Sequence, residues 1–276
     1  MSDEHSTGRL REGGTAVADQ HLSVQGVSRA FGGLQAVSRV SLDVARGSVT
    51  AVIGPNGAGK STLLHLISGF IPVDEGTVRI NGRDVTKLPP WRRAAYGMAR
   101  TFQDLEVFER LTVLENVALA VPAPVGGSPL RLLLRPRGYR DERRAVRAEA
   151  LRHLETVGLA DRADDKAHDL SYGDQKLLII ARLLATGRDL LLLDEPGAGL
   201  SVSAIDELGL LLRRLAADGR TVVVVDHNMR LILDYSDYVY VLHHGTLIAH
   251  GTPAKIRADA QVISVYLGGD IAEVRA

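Results

Sequence analysis

Residues Gly54–Ser61 read GPNGAGKS and fit the pattern G-x-x-x-x-G-K-[ST]. Glycines at these spacings let the backbone wrap closely around a polyphosphate and present successive N–H groups at the start of a helix. Lys60 can reach the β- and γ-phosphates, and the hydroxyl of Ser61 can coordinate Mg²⁺. The stretch therefore predicts a phosphate-binding loop.

The sequence on both sides of this loop has the strand–loop–helix character that the pattern requires. Residues Val49–Ile53 are apolar but for one threonine, as in a buried strand. After the loop, Leu63, Leu64 and Ile67 recur at helical spacing, and Gly69 stands near the expected end of the helix. This context supports the phosphate-binding interpretation.

Strands and helices continue to alternate along the chain. The apolar runs at 190–193 and 222–225 predict buried strands with helical patterns around them, which is typical of a parallel sheet covered on both faces. Residues 21–48 and 76–82 instead show the alternation and turn residues of antiparallel hairpins. A last hairpin turns at His244-Gly245. We therefore expect an α/β fold.

Composition limits the possible functions. The chain has 276 residues, 33 basic against 33 acidic, and no cysteine, which excludes a disulfide scaffold, thiol catalysis and Cys-ligated zinc. Zero net charge and 12 aromatic residues argue against a nucleic-acid partner. No segment approaches the roughly 18–20 apolar residues of a membrane span. Residues 1–20 have no signal-peptide core, and we expect a flexible N-terminal tail.

Two further stretches carry candidate chemistry. LLLLDEP places Asp194 at the end of a buried strand, where a carboxylate can hold Mg²⁺, and puts Glu195 where it can deprotonate a water. The alternative is an acidic pair that ends a strand. LSYGD, at 170–174, places Ser171 and Gly173 at a helix start, which indicates either a second anion site or an ordinary capped helix.

Taken together and in order, these motifs resemble the ATP-binding subunits of ABC transporters over residues 21 to 268. They comprise Walker A (GPNGAGKS), a Q-loop glutamine in ARTFQ (Gln103), the signature LSYGD, Walker B (LLLLDEP) and a switch histidine in VVVVDH (His227). The resemblance implies one domain over 21–276. Its parts would be a P-loop (RecA-like) core, an antiparallel β subdomain, and an α-helical subdomain inserted at about 104–172.

The resemblance is closer to the ATPases of high-affinity branched-chain amino-acid importers. Their phrases appear as FGGLQAV, ARTFQDLEVFERLTVLENVALA and GTPAKIRADAQVISVYLG. Related ATPases for urea or short amides share much of this pattern, so that alternative stays open.

The resemblance also implies the roles of individual residues. Lys60, Glu195 and His227 would be catalytic, and Ser61, Gln103 and Asp194 would hold Mg²⁺. Phe31 would stack on adenine, although it could also be an interior residue of its hairpin. The implied ATP-binding residues are Phe31, Gly54, Pro55, Asn56, Gly57, Ala58, Gly59, Lys60, Ser61, Thr62, Gln103, Ser171 and Gly173.

Implied partners are a second ATPase subunit, whose nucleotide Ser171 and Gly173 would contact, transmembrane permease subunits, and indirectly a solute-binding protein. The protein would then lie peripherally on the cytoplasmic face of the inner or plasma membrane. Two other classes compete with this interpretation. A P-loop GTPase or small-molecule kinase would leave the signature and His227 unexplained, and a non-transport ABC protein usually carries two cassettes or a long coiled-coil insertion.

Some features depart from the family pattern or stand outside it. Asp174 ends the signature where glutamine is more usual, and a carboxylate there adds negative charge near a triphosphate. Ser201 replaces an aspartate that this subfamily also commonly lacks.

Eight arginines between Arg131 and Arg152 indicate either a solvated helix pair or a docking surface. For Trp91 we expect packing or a local surface role, and His243, His244 and His250 are interpreted as surface residues.

Overall fold

The computed structural model describes residues 20–101, 107–122 and 136–267. The predicted tail therefore lies outside the described residues except for Gln20, which begins the first strand. The strands are β1 (Gln20–Phe31), β2 (Leu34–Ala45), β3 (Val49–Ile53), β4 (Glu75–Ile80), β5 (Arg83–Asp84), β6 (Met98–Arg100), β7 (Leu190–Asp194), β8 (Thr221–Val225), β9 (Tyr238–His243) and β10 (Thr246–Gly251). The helices are α1 (Lys60–Ser68), α2 (Pro90–Ala95), α3 (Val113–Ala118), α4 (Pro136–Val157), α5 (Tyr172–Ala185), α6 (Val202–Ala217), α7 (Met229–Tyr235), α8 (Pro253–Ala258) and α9 (Ala260–Leu267).

A six-stranded sheet in the order β10-β9-β3-β8-β7-β6 forms the centre of the fold. Strand β10 is antiparallel to β9, and the other neighbouring pairs are parallel. The carboxyl ends of β3, β8 and β7 therefore lie side by side at one edge, where open α/β sheets bind ligands. This confirms the predicted parallel sheet and the hairpin at His244-Gly245.

Apolar side chains on the central strands divide between two cores. Along β8, Val222 and Val224 enter the cluster that contains α5 and α6, whereas Val223 and Val225 enter the cluster that contains α1. Successive strand residues point to opposite faces, so a strand covered on both faces must be apolar throughout. This requirement explains the uninterrupted valines of β8.

A four-stranded antiparallel sheet, in the order β2-β1-β4-β5, packs on the α1 side. It confirms the hairpins predicted near the N-terminus. The imidazole Nδ1 of His21 lies 2.7 Å from the hydroxyl of Thr221 on β8, and the same hydroxyl accepts a hydrogen bond from the amide of Gly47. A buried polar contact thus joins the two sheets.

The described helices α3 and α4 lie within the predicted helical insertion. Helix α3 begins with a capping box, in which Thr112 and Glu115 each bond to the other's backbone N–H. From residue 136 onward the Arg-rich segment belongs to α4, whose Arg144 and Arg147 are exposed and lie 3.9 and 3.6 Å from the oxygens of Asp141 and Asp164. The described side chains thus have the ion pairs expected of a solvated helix. Within the three described ranges, no helix combines the length and the apolar character that crossing a bilayer requires.

Candidate functional site

The loop between β3 and α1 is closed around the side chain of Lys60. This buried ammonium donates hydrogen bonds to the carbonyl oxygens of Gly54, at 2.7 Å, and Pro55, at 3.0 Å. Burial lowers the pKa of Lys60, and the negative charges of Glu195, Asp194 and Asp226 oppose that shift. The cation is thus held inside the loop by groups that an anionic ligand could replace.

Glycine is required where the loop meets its neighbours. Gly59 has φ 101°, and a Cβ there would lie 2.5 Å from the carbonyl oxygen of Ala36. Gly59 also precedes α1 without providing a side-chain cap. The first N–H groups of a helix have no partner within the helix, so this end presents free donors and a positive dipole to an anion.

Asp194 ends β7 as a buried carboxylate held from two directions. Its oxygen Oδ2 accepts a 2.9 Å bond from Arg100 Nη2, and its amide donates to the hydroxyl of Thr101. Its other oxygen, Oδ1, is buried without a hydrogen-bond partner among the described residues. A buried, unpaired carboxylate oxygen is costly unless a ligand satisfies it, so this atom suits a divalent cation.

Glu195 has a left-handed backbone with φ 48°, an uncommon conformation for a residue with a side chain. Its amide donates to the carbonyl of Val225 at 2.7 Å, and its carbonyl accepts bonds from the amide of Ala198, at 3.3 Å, and from Lys176 Nζ, at 2.8 Å. The backbone on both sides of Glu195 is thereby fixed, and the residue lines the pocket beside the phosphate-binding loop.

That pocket is a cavity of about 400 Å³. Its wall comes from the phosphate-binding loop, the start of β2, Glu195 and the turn between β9 and β10. The lining residues are Leu34, Gln35, Ala36, Asn56, Gly57, Ala58, Gly59, Lys60, Ser61, Thr62, Glu195, His244 and Gly245. Of the predicted catalytic residues, Lys60 and Glu195 therefore meet in one cavity.

His244 is exposed, as expected from the sequence, and it also lines this pocket, which the sequence did not predict. The amide of Gly245 donates to the carbonyl of Ala58 at 2.9 Å, and the carbonyl of Gly245 accepts a bond from the amide of Ser38. These bonds hold the hairpin turn against the loop. No spacing pattern in the sequence links the turn to a loop so far away along the chain.

Phe31 lies at the end of β1 and is 42% exposed, so it is not an interior residue of its hairpin. The guanidinium of Arg29 lies 4.9 Å from the centre of its ring. Phe31 itself is outside the pocket lining, although it pairs with Leu34, which belongs to the lining. An exposed ring next to the pocket is available for stacking.

Trp91, on α2, is also exposed.

The signature residues lie outside this pocket. Ser171 caps α5, and its hydroxyl both accepts from the amide of Asp174 and donates to the Asp174 carboxylate at 2.8 Å. Arg162 Nη1 lies 3.9 Å from the same carboxylate. The Ser171 hydroxyl, to which the resemblance assigns a phosphate contact, is therefore hydrogen-bonded to Asp174. The positive charge of Arg162 partly offsets the negative charge of Asp174. A Cβ at Gly173 would make only ordinary contacts, with Leu200 and with the hydroxyl of Ser171.

His227 is 59% exposed after β8 and does not line the pocket. The residue before it, Asp226, is fully buried and accepts bonds from the amides of Gly197, His227 and Asn228. It thus joins the loop after β7 to the loop after β8. Sequence reasoning missed Asp226, although its position after a buried strand, like that of Asp194, was a usable signal.

Two other contacts were also missed, those of Arg100 and Lys176, because each joins residues far apart in the sequence. Gln103 lies outside the described residues. Within the described part of the chain, no cluster of three or more His, Asp or Glu side chains is suited to a metal ion. A divalent cation here would therefore depend on a single carboxylate, a hydroxyl and the phosphates of a ligand, which is a common arrangement for Mg²⁺.

Comparison with known proteins agrees with this geometry. Residues 37–198 match the family described as "ABC transporter", and residues 246–272 match "Branched-chain amino acid ATP-binding cassette transporter". The high-affinity branched-chain amino acid transport ATP-binding protein LivG of Salmonella typhimurium is 38% identical over 248 residues, which are 90% of this chain and 97% of that protein. The high-affinity branched-chain amino acid transport ATP-binding protein BraF of Pseudomonas aeruginosa is 37% identical over 248 residues, which are 90% of this chain and 97% of that protein.

Solved structures give the same result. An ATP-binding cassette of an ABC transporter in its ADP conformation superposes with a TM-score of 0.79 at 35% identity, covering 91% of this chain and 99% of that one. A dimeric bacterial ABC transporter cassette has a TM-score of 0.70 at 26% identity, covering 84% and 98%. With its two sheets and phosphate-binding loop, the chain belongs to the ATP-binding cassette family of ABC transporters and, by its C-terminal segment, to the branched-chain amino acid group within it.

Proposed function

We propose that this chain is the ATP-hydrolysing subunit of an importer of branched-chain amino acids, acting at the cytoplasmic face of the membrane through permease subunits. One observation carries the proposal. A single pocket brings together Lys60, Ser61 and Glu195, whereas Ser171 and Gly173 lie outside it. The chain thus holds most of one ATP-hydrolysing site in this pocket. The start of α5 provides a separate surface that could complete the site of a second subunit.

ATP binding follows from the loop. The free N–H groups at the start of α1 and the ammonium of Lys60 would bind the phosphates, with Lys60 exchanging its bonds to Gly54 and Pro55 for phosphate oxygens. Phe31, exposed next to the pocket, would stack on the adenine. The close approach of Gly59 to the carbonyl oxygen of Ala36 leaves no room for a larger residue at that point of the loop.

The residues present fit a magnesium ion. Asp194 offers a buried carboxylate oxygen without a partner among the described residues, and Ser61 offers a hydroxyl from the first turn of α1. Gln103 would be a further ligand by its place in the family pattern. When bound, Mg²⁺ neutralises charge on the phosphate oxygens during phosphoryl transfer.

Hydrolysis would use the remaining polar groups of the pocket. A water attacks the γ-phosphorus, the bond from that phosphorus to the bridging oxygen breaks, and ADP and phosphate leave. Glu195 accepts the proton of the attacking water, and Lys60 stabilises the charge on the transferring group. His227 would hold the γ-phosphate after a movement that brings its exposed side chain to the pocket.

The second surface requires a partner. Because Ser171 and Gly173 lie at the start of α5 and away from their own pocket, we infer a head-to-tail dimer in which they contact nucleotide held by the other ATPase subunit. Closing and reopening of the dimer would drive the permeases, and a solute-binding protein would act through those permeases.

The test is reconstitution. The chain is purified together with any permease subunits that bind it, and ATP-dependent leucine uptake is measured in vesicles that contain the complex and its solute-binding protein. We expect uptake that urea or short amides do not inhibit. Uptake of urea or amides instead of leucine would contradict the substrate, and the absence of any permease complex would contradict the transport function.

A further inference from the structure

Arg100 and Asp194 form a buried ion pair at the edge of the central sheet. Arg100 Nη2 lies 2.9 Å from Asp194 Oδ2, and both side chains are only 4% exposed. Arg100 Nη1 donates a second bond, of 2.8 Å, to the hydroxyl of Ser68 at the end of α1. The guanidinium is therefore held in place from two sides.

The pair compensates a charge that would otherwise be buried alone. Removing one partner of a buried ion pair is strongly destabilising, because it leaves the other charge without a partner. Lys60 also lies within electrostatic reach of Asp194, but its ammonium bonds to the carbonyls of Gly54 and Pro55. Glu195, also nearby, adds negative charge. Among the described residues, Arg100 is thus the cation that forms an ion pair with the Asp194 carboxylate.

A second buried arginine shows that this contact is not simply a way to support α1. Arg93 also reaches the end of α1, where it donates to the carbonyls of Leu66 and Ile67, and it donates further bonds to the carbonyls of Leu88 and Thr86. All of these acceptors are backbone oxygens. An arginine can therefore support the end of α1 without a carboxylate. The contact of Arg100 differs because it pairs the guanidinium with the negative charge of Asp194.

We propose that Arg100 is a positioning residue that serves as the counter-ion of Asp194 and thereby weakens the binding of a divalent cation to that carboxylate. This inference rests on the proposed function. A cation at Asp194 Oδ1 and the guanidinium at Oδ2 would share one carboxylate, and their like charges repel in a region with little solvent to screen them. The pair would keep the empty site stable and let the cation leave with the product nucleotide.

The first test measures cation affinity in the full-length chain. Fluorescent N-methylanthraniloyl-ADP is bound at increasing Mg²⁺ concentrations, and the half-saturating Mg²⁺ concentration is recorded for wild type, Arg100→Met and Arg93→Met. We expect Arg100→Met to bind Mg²⁺ about tenfold more tightly, or about 1.4 kcal/mol. Nucleotide affinity in EDTA should not change. Arg93→Met should lose stability but keep the wild-type Mg²⁺ dependence.

An unchanged or weaker Mg²⁺ affinity in Arg100→Met would overturn the inference while leaving the proposed function intact. If the wild-type chain instead binds the nucleotide equally with and without Mg²⁺, the proposed metal site itself fails.

A second test uses stability, since Arg100→Met could fail to fold. The double variant Arg100→Met with Asp194→Asn carries no buried charge at this position, so it should unfold at a higher urea concentration than Arg100→Met alone. A double variant no more stable than the single one, or one that also fails to fold, would overturn the counter-ion role.

Discussion

The ammonium of Lys176, in α5, donates a 2.8 Å hydrogen bond to the carbonyl oxygen of Glu195, in the loop after β7. The helix that begins with Ser171 is thereby tied to the residue proposed to activate water. Burial lowers the pKa of Lys176, while Asp226 and Glu195 oppose that shift by their charge. A change at the start of α5 can therefore reach Glu195 through one side chain.

Replacing Lys176 tests this contact. We expect Lys176→Met to lower the kcat of ATP hydrolysis about tenfold, or about 1.4 kcal/mol, because Glu195 loses a contact that supports its left-handed backbone. The Kd for nucleotide should stay within about twofold, since the loop around Lys60 is untouched. Lys87→Met, at an exposed lysine outside the pocket lining, is the matched control. Equal kcat values in the two variants would show that the contact has no catalytic effect.

The roles of Glu195 and Lys60 can be separated by two substitutions. Glu195→Gln keeps the size of the side chain but cannot accept the proton, so turnover should fall at least about 100-fold, within the range of general-base contributions, while ATP still binds. Lys60→Ala removes the cation that would bind phosphate, so binding itself should weaken. Steady-state hydrolysis and equilibrium binding of a fluorescent ATP analogue measure the two effects. Normal turnover in Glu195→Gln would reject Glu195 as the base.

Asp174 should limit ATP binding across the proposed dimer. Its carboxylate accepts the hydroxyl of Ser171 and adds negative charge at the surface that would meet a triphosphate. We expect Asp174→Asn to lower the KM for ATP several-fold, with a larger effect at low salt because surface charge is screened at high salt. Asp161→Asn, a matched loss of charge outside the signature, should leave the KM unchanged. A KM that is the same in both variants would contradict this effect.

His21 should make the fold sensitive to acid. Its side chain is 2% exposed and lies against the hydroxyl of Thr221. Burial lowers the pKa of His21 from 6.5 to about 4, and the positive charge of Arg46 makes a smaller contribution in the same direction. Between these two pH values the unfolded chain binds the proton more readily than the folded chain. The contribution of His21 to the free energy of unfolding is therefore fully present above pH 6.5 and is lost as the pH falls toward 4. The loss would reach about 3 kcal/mol, from about 1.36 kcal/mol per pKa unit.

The measurement is the urea midpoint as a function of pH for wild type and His21→Gln, which can still bond to Thr221 but cannot gain the charge. The variant should show a flatter curve between pH 6.5 and 4. Parallel curves for the two proteins would show that His21 does not cause the acid sensitivity.

Much of the fold and of the site could be predicted because the relevant signals are local. The phosphate-binding loop requires glycines, a lysine and a hydroxyl within one short stretch, and Val49–Ile53 and Leu190–Asp194 are apolar because each strand is covered on both faces. The carboxyl ends of parallel strands share an edge, so the sequence also predicted that Lys60 and Glu195 lie near one another.

By itself, then, the sequence determined most of the strands, the position of the phosphate-binding loop and the family, since each depends on neighbouring residues. Only the tertiary structure decided that β8 lies between β3 and β7, which places Asp226 between the two loops of the site. It also decided the contacts of Arg100 with Asp194 and of Lys176 with Glu195. Such contacts depend on which strands and helices pack together, and residues far apart in the chain carry no local pattern that records that packing.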